Sequence, residues 1–270
     1  MRFKDFTWSP EDLISQTKFM QLADSHSATH VFMYTDSIEH DKSINYKGTM
    51  RPAIFPPKQR TWITGMSDFT VRKTIIEPFE GLYDKWYGIN VAPGLKNIRA
   101  VPIGVDTHSD EGIEQKREEL IYEVSKATVA ESDKLAYMNF NAYTYLQERA
   151  IVDLQFKSQP WVTAQVNQRI PYREYCENVK AHKFTFCPRG NGPDTHRFWE
   201  SIYLGSIPIV LDYPEMECFF EKLPVLKLRT WDSLTDELLE IEYERIHETD
   251  YDFTIMRMGY WTDLIYRGVL

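Results

Sequence analysis

The sequence predicts an α/β protein built on parallel sheets, and three observations lead there. Short apolar runs alternate with amphipathic segments, most regularly in the second half, as strands joined by helical crossovers do. Residues 183–211, KFTFCPRGNGPDTHRFWESIYLGSIPIVL, read as strand, glycine-rich loop, helix and strand, the span of one βαβ unit. The length of 270 residues accommodates one large domain or two of about 135 residues.

The strand candidates, in order, are HVFMYT (30–35), RTWIT (60–64), IRAVPI (98–103), KLAYM (134–138), WVTAQ (161–165), KFTFC (183–187) and SIPIVL (206–211). Amphipathic helical patterns fall at 113–127, 143–157, 171–181 and 194–204, and 255–270 closes the chain with another. Residues 37–59 hold three prolines and no periodicity, so they read as a long loop. DTHSDEG (106–112) is a second break, and a domain boundary is placed at 125–133, just before KLAYM.

The net charge of −9 counts against a nucleic-acid binder, which needs a basic face. Eight acids and one base are concentrated in residues 236–252, which read as a solvated acidic helix followed by a loop. Cys176, Cys187 and Cys218 form no CxxC pair and no even framework, so reduced thiols are expected. The opening MRFKDFTWSPEDL lacks the apolar core of a signal peptide, and no apolar run approaches the ~20 residues of a membrane helix. A cytoplasmic protein is the expectation.

The chemistry concentrates in residues 183–211. Asp194 is the expected N-cap of the helix, Thr195, His196 and Arg197 its first turn, and Gly205 its left-handed stop. Such a unit aims backbone N–H groups and the positive helix end at the carboxyl edge of a sheet, where phosphate binds. Gly190 and Gly192 let the backbone, with Asn191 between them, come close to a ligand. Arg189 and Arg197 supply cationic forks for phosphate oxygens, and Glu200 could accept from ribose hydroxyls; the bland alternative is a capped helix with an i,i+3 ion pair. No GK[ST] follows the glycines and GNGPDT lacks the third glycine of GxGxxG, so neither a Walker A loop nor hydride chemistry is indicated.

PRGNGPDTHRFWESIYLGSIPIV resembles the donor-nucleotide segment of exostosin-like glycosyltransferases, whose members carry PRGxGxxTxRxxE runs followed by a G-x-x-P-I strand. AYMNFNAYTYLQERAIV (136–152) is similar to the strand–NFN–helix segment, with its downstream ER pair, of short relatives that include ones encoded by large algal viruses. TWITGMSDFTV (61–71) resembles their strand and loop ending in S-D, and the likeness spans residues 60–235. The resemblance implies a GT-B architecture: two Rossmann-like lobes facing across a cleft, with a C-terminal helix crossing back to the first. It places the acceptor lobe at 1–130, with 255–270 packed on it, and the nucleotide-sugar lobe at 131–254. It also implies inverting transfer from a nucleotide sugar (a UDP-sugar, UDP-xylose among them, with GDP left open) to a hydroxyl of an oligosaccharide or glycoprotein. No cofactor or divalent metal is expected, and the location would be a host cell's cytoplasm if the chain is viral. The sugar, the linkage and the oligomeric state stay open.

Inverting transfer needs a base for the acceptor hydroxyl and positive charge for the leaving diphosphate. Arg149, Arg189, Arg197 and the helix start at Thr195 and His196 answer the second need. Asp68, after a strand and the Gly65 turn, is the preferred base, Asp36 the alternative and His108 a third; a turn aspartate is the bland reading of Asp68. Asn139, Asn141 and Asp194 could touch sugar or phosphate, with turn formation the alternative for the two asparagines. Asp250-Tyr251-Asp252 spells the metal-binding DxD but follows no apolar strand, and the histidines show no zinc spacing. The competing functions are a non-catalytic nucleotide- or glycan-binding module and another phosphate enzyme using Cys187. The phosphatase CxxxxxR spacing would put its arginine at Pro193, so that motif fails.

Overall fold

The computed structural model describes residues 1–25, 30–35, 60–107 and 117–268. The protein is α/β, with two separate parallel sheets forming two lobes. The first sheet joins β1 (His30–Tyr34), β2 (Thr61–Gly65), β3 (Lys85–Gly88) and β4 (Ile98–Ala100) in chain order. The second comprises β5 (Ala136–Met138), β6 (Val162–Ala164), β7 (Phe184–Phe186), β8 (Ile207–Leu211) and β9 (Leu226–Leu228), ordered β6-β5-β7-β8-β9. Every strand pair in both sheets is parallel.

Both faces of the first sheet are covered, as parallel sheets require. Trp62 and Trp86 pair across β2 and β3 and pack outward with Ile75, Ile76 and Phe79, where the buried Trp86 indole donates to Thr64 Oγ1 at 2.8 Å. Their neighbours Ile63 and Tyr87 point the other way, into a core continuous with that of the second lobe. β3 and β9 lie outside the expected strands, because four and three residues are too few to display a period.

The helices are α1 (Gln16–Ser25), α2 (Lys73–Ile76), α3 (Arg117–Lys126), α4 (Leu146–Phe156), α5 (Tyr172–Ala181), α6 (His196–Leu204), α7 (Glu217–Phe220), α8 (Asp236–Glu248) and α9 (Met258–Arg267). Helix α1 covers β1 and β2, whereas α3 packs on α5 and α6 beside the second sheet. α9 crosses back to the first lobe, where Arg99 donates to Tyr260 at 3.2 Å and Lys85 to the Gly268 carbonyl. Tyr203, buried on α6, knots three parts of the chain: its hydroxyl accepts from Ile14 N at 3.1 Å and donates to Met256 O at 2.6 Å, while its own carbonyl accepts from the Trp8 indole at 2.9 Å. Among the described residues, no helix is long and apolar enough to cross a membrane.

The topology of the second sheet decides where a ligand can sit. From β5 the chain leaves to β6 on one side, and β7 returns on the other, so the loops leaving β5 and β7 diverge. That switch point opens a crevice at the carboxyl edge. The first lobe faces this edge through residues 102–105. There Gly104, at φ +69°, lies against Ile14, and Val105 N donates to Ile14 O at 2.9 Å. A methyl at Gly104 would collide with the Ile14 carbonyl, besides the ~1–2 kcal/mol of left-handed backbone strain. Gly104→Ala is therefore expected to lower the urea unfolding midpoint by more than that strain alone; an unchanged midpoint would show that the 102–105 segment gives way freely.

Candidate active site

A cavity of about 710 Å³ fills the crevice between the lobes, within the size range of small-molecule sites. The loops leaving β5 and β7 form one wall, the start of α6 another, and Asp68 and Ile103 of the first lobe face them. The loop after β7 is clamped at Arg189. Arg149 Nε donates to the Arg189 carbonyl at 2.8 Å, and Arg189 N donates to Tyr213 Oη at 3.1 Å. The Tyr213 hydroxyl donates in turn to the buried Glu148, which also accepts from the Trp231 indole at 3.2 Å. The adjacent Glu148 and Arg149 of α4 thus hold both polar groups of one peptide position. Burial raises the Glu148 carboxyl and the Tyr213 phenol above their ordinary values.

Among the described residues, four arginines (Arg117, Arg149, Arg169 and Arg197) and four acids (Asp68, Asp106, Asp194 and Glu200) line the cavity. The guanidiniums of Arg149 and Arg197 lie 5.6 and 5.9 Å from the Phe140 ring centre, within cation–π range. Among the described residues Arg149 donates only to backbone carbonyls, those of Arg189, Asn141 and Pro188. Burial first, and the Arg197 charge second, bring its pKa down to about 10. Arg197 Nε is buried and has no hydrogen-bond partner among the described residues. Arg189 folds onto its own loop, donating to Gly190 O and Asn191 O over the Tyr145 ring. An anion entering here would relieve the repulsion and supply the missing acceptor.

The start of α6 differs from the expectation. Thr195, not Asp194, is the N-cap, and no side chain caps the helix. Asp194 is instead fully buried, accepting from Ile103 N at 2.7 Å and from the Trp199 indole at 2.7 Å. Its carboxylate ties α6 to the first lobe. With the cap position unoccupied by a side chain, Thr195, His196 and Arg197 line the cavity.

The same loop grips the first lobe at three further points. Asp194 N donates to Asn90 Oδ1 at 2.9 Å, Asn191 Nδ2 donates to Asp68 Oδ2 at 3.0 Å, and His196 Nδ1 lies 2.8 Å from Gly104 O. A methyl on Gly192 would sit 2.5 Å from Asn90 Nδ2, so only glycine allows this approach. Asp68 is exposed and lines the cavity opposite the arginines. Asp36 and His108 lie outside the described residues.

Other expected site residues are engaged elsewhere. Both Glu200 oxygens accept at 2.9 Å, one from Tyr172 and one from Tyr175, at the cavity wall. Asn139 donates to Gln165 O and so ties the loop after β5 to the one after β6, while Asn141 accepts from Tyr143 N and braces its own turn; both line the cavity. Asp250 pairs with the N-terminal ammonium and Asp252 caps a short 3-10 turn, so neither half of DYD lines the cavity. Cys187 is buried, and desolvation holds its thiol up to about 12, which leaves no thiolate near neutral pH. Phe140, Asn90, Glu148, Tyr213 and the two tyrosines escape sequence reasoning. Only the Glu148-Arg149 pair left a signal, in the ER of QERAIV.

The whole chain aligns with 87% of the chain of a solved alpha1,3-fucosyltransferase, at 10% identity and a TM-score of 0.33. No protein-family model matches the sequence, and no curated protein matches it.

The Asp194 contact has a pH signature. Burial raises its carboxyl from 3.8 to about 7, against the opposing pull of the Ile103 and Trp199 donors. Between those values the folded chain holds a proton that the unfolded chain has released, so this group's contribution to stability falls as pH rises across the window. Asp194→Asn cannot titrate. Urea unfolding from about pH 4 to about pH 7 is expected to show wild type losing stability relative to this variant, and a pH-independent difference would refute the assignment.

Proposed function

We propose that the chain is an inverting, metal-independent glycosyltransferase moving a sugar from a UDP-sugar, UDP-xylose among them, to a hydroxyl of a glycan acceptor. One observation carries the reading. Arg149 and Arg197 converge above Phe140, beside a helix start that no side chain caps, in the switch-point crevice of a parallel sheet. Guanidinium forks with free N–H dipoles suit a diphosphate. Asp68 faces that cluster from the other lobe, where Asp106 also lines the cavity but pairs with Arg117.

In this mechanism the diphosphate lies against Arg149, Arg197 and the backbone N–H groups at the start of α6, with Arg189 at the rim. Glu200 keeps a second lone pair on each oxygen beyond its tyrosine bonds and accepts from ribose hydroxyls. The acceptor oxygen attacks the anomeric carbon from the Asp68 side and passes its proton to that carboxylate. The bond from the anomeric carbon to the diphosphate breaks, and its electron pair leaves with the nucleotide. The arginines stabilise the charge that develops there, the service a metal would otherwise provide.

The deciding experiment is sugar transfer and nucleotide binding in excess EDTA. Arg197→Ala is expected to weaken UDP affinity in calorimetry by roughly 10- to 150-fold, the effect of losing a charge-assisted contact. Unaltered affinity would move the donor site elsewhere. Saturable UDP binding with neither transfer nor hydrolysis would reduce the protein to a binding module.

Asp68→Asn separates the two halves of the reaction. Donor affinity should hold while kcat falls by about 10²–10⁴, the usual weight of a general base. A wild-type turnover rate at saturating substrates would remove Asp68 from that role.

A further inference from the structure

Behind Asp68 lies a second cavity of about 170 Å³, set between the lobes beside the first. Asp68, Ile103 and His196 line both cavities. The rest of the smaller one is mixed in character, with Met66 and Val105 apolar and Gln16, Ser67 and Thr107 polar. An apolar wall with hydroxyl-seeking groups beside it matches the two surfaces of a pyranose, its C–H face and its hydroxyl edge. The volume suits one ring, not a nucleotide.

His196 gives this cavity its polarity. Its Nδ1 lies 2.8 Å from Gly104 O, and a carbonyl oxygen only accepts. The proton of the neutral ring therefore sits on Nδ1, and Nε2 presents a lone pair. Among the described residues Nε2 has no hydrogen-bond partner. On the other side, Asn191 occupies Asp68 Oδ2. Each of the two side chains thus offers an acceptor where the cavities meet.

We propose that the smaller cavity seats one sugar unit of the acceptor and holds it through two hydroxyls. One hydroxyl faces Asp68 and surrenders its proton there as its oxygen attacks the donor. The second donates to His196 Nε2 and fixes which hydroxyl reacts. His196 is thus a specificity residue that selects sugars over a lone serine or threonine hydroxyl. The assignment rests on the glycosyl-transfer reading above.

The test uses a panel of methyl pyranosides (gluco, galacto, manno, xylo, fuco) with UDP-sugar donors, and follows nucleotide release. For the pyranoside that wild type glycosylates, His196→Leu is expected to lower kcat/KM roughly 10-fold, and His196→Gln, which keeps an acceptor atom at the ε position, to restore part of it. One monodeoxy derivative should cost wild type the same factor and cost His196→Leu nothing more. A purely structural role for His196 would make the two losses multiply for every derivative, which would overturn the proposal. So would wild type that glycosylates serine peptides and no pyranoside, or His196→Leu that transfers as wild type does. Wild type that binds no UDP-sugar overturns the underlying functional reading, an outcome calorimetry separates from the others.

Discussion

The buried carboxylate of Asp194 is the constraint around which the cleft is organised. It lies between the lobes and accepts from a first-lobe backbone N–H, that of Ile103, and from a second-lobe indole, that of Trp199. Burying a carboxylate costs several kcal/mol unless its lone pairs are satisfied, and here one partner comes from each side. The loop from Pro188 to Thr195 is thereby tied to the first lobe at Asp194, while Arg149 and Tyr213 of its own lobe hold it at Arg189.

The steric side of this constraint is as strict as the polar side. Gly192 packs on Asn90, which itself adopts a left-handed backbone at φ +51° and offers its amide to Asp194 N. Asparagine tolerates that conformation better than most residues, because its short polar side chain bonds locally. Gly190 lies beside Arg149 with more room, since a methyl there would approach Nη2 only to 3.2 Å. The two glycines of PRGNGPD thus do different work. One admits the guanidinium of the same lobe, and the other admits the opposite lobe.

Local pattern explains what could be read from the sequence, and distance along the chain explains what could not. The βαβ unit at 183–211 was legible because strand, loop and helix are contiguous and Gly205 marks the stop, at φ +85° in the structure. KWYG at 85–88 was not, since its alternation of Trp86 and Tyr87 between two buried faces looks the same as an unpatterned aromatic pair. Asp194 reads as a cap because aspartate before a helix usually is one. What redirects it is Ile103, 91 residues earlier in the chain. The tyrosine pair that meets Glu200 comes from α5, more than twenty residues away, and a three-residue spacing to Arg197 gives no hint of it.

The same loop also links the two sides of the cleft. Asn191 sits between Gly190 and Gly192 and donates to Asp68, so a carboxylate of the first lobe is oriented by the glycine-rich loop of the second. In the proposed site an anion held by Arg149 and Arg197 would lie beside this loop, and Asn191 would couple the geometry of Asp68 to what the arginines hold. In a site working as proposed, that linkage would favour an order of events in which the donor settles first and the base is aligned afterwards. It would also keep the carboxylate from activating a hydroxyl while no sugar is present to receive it.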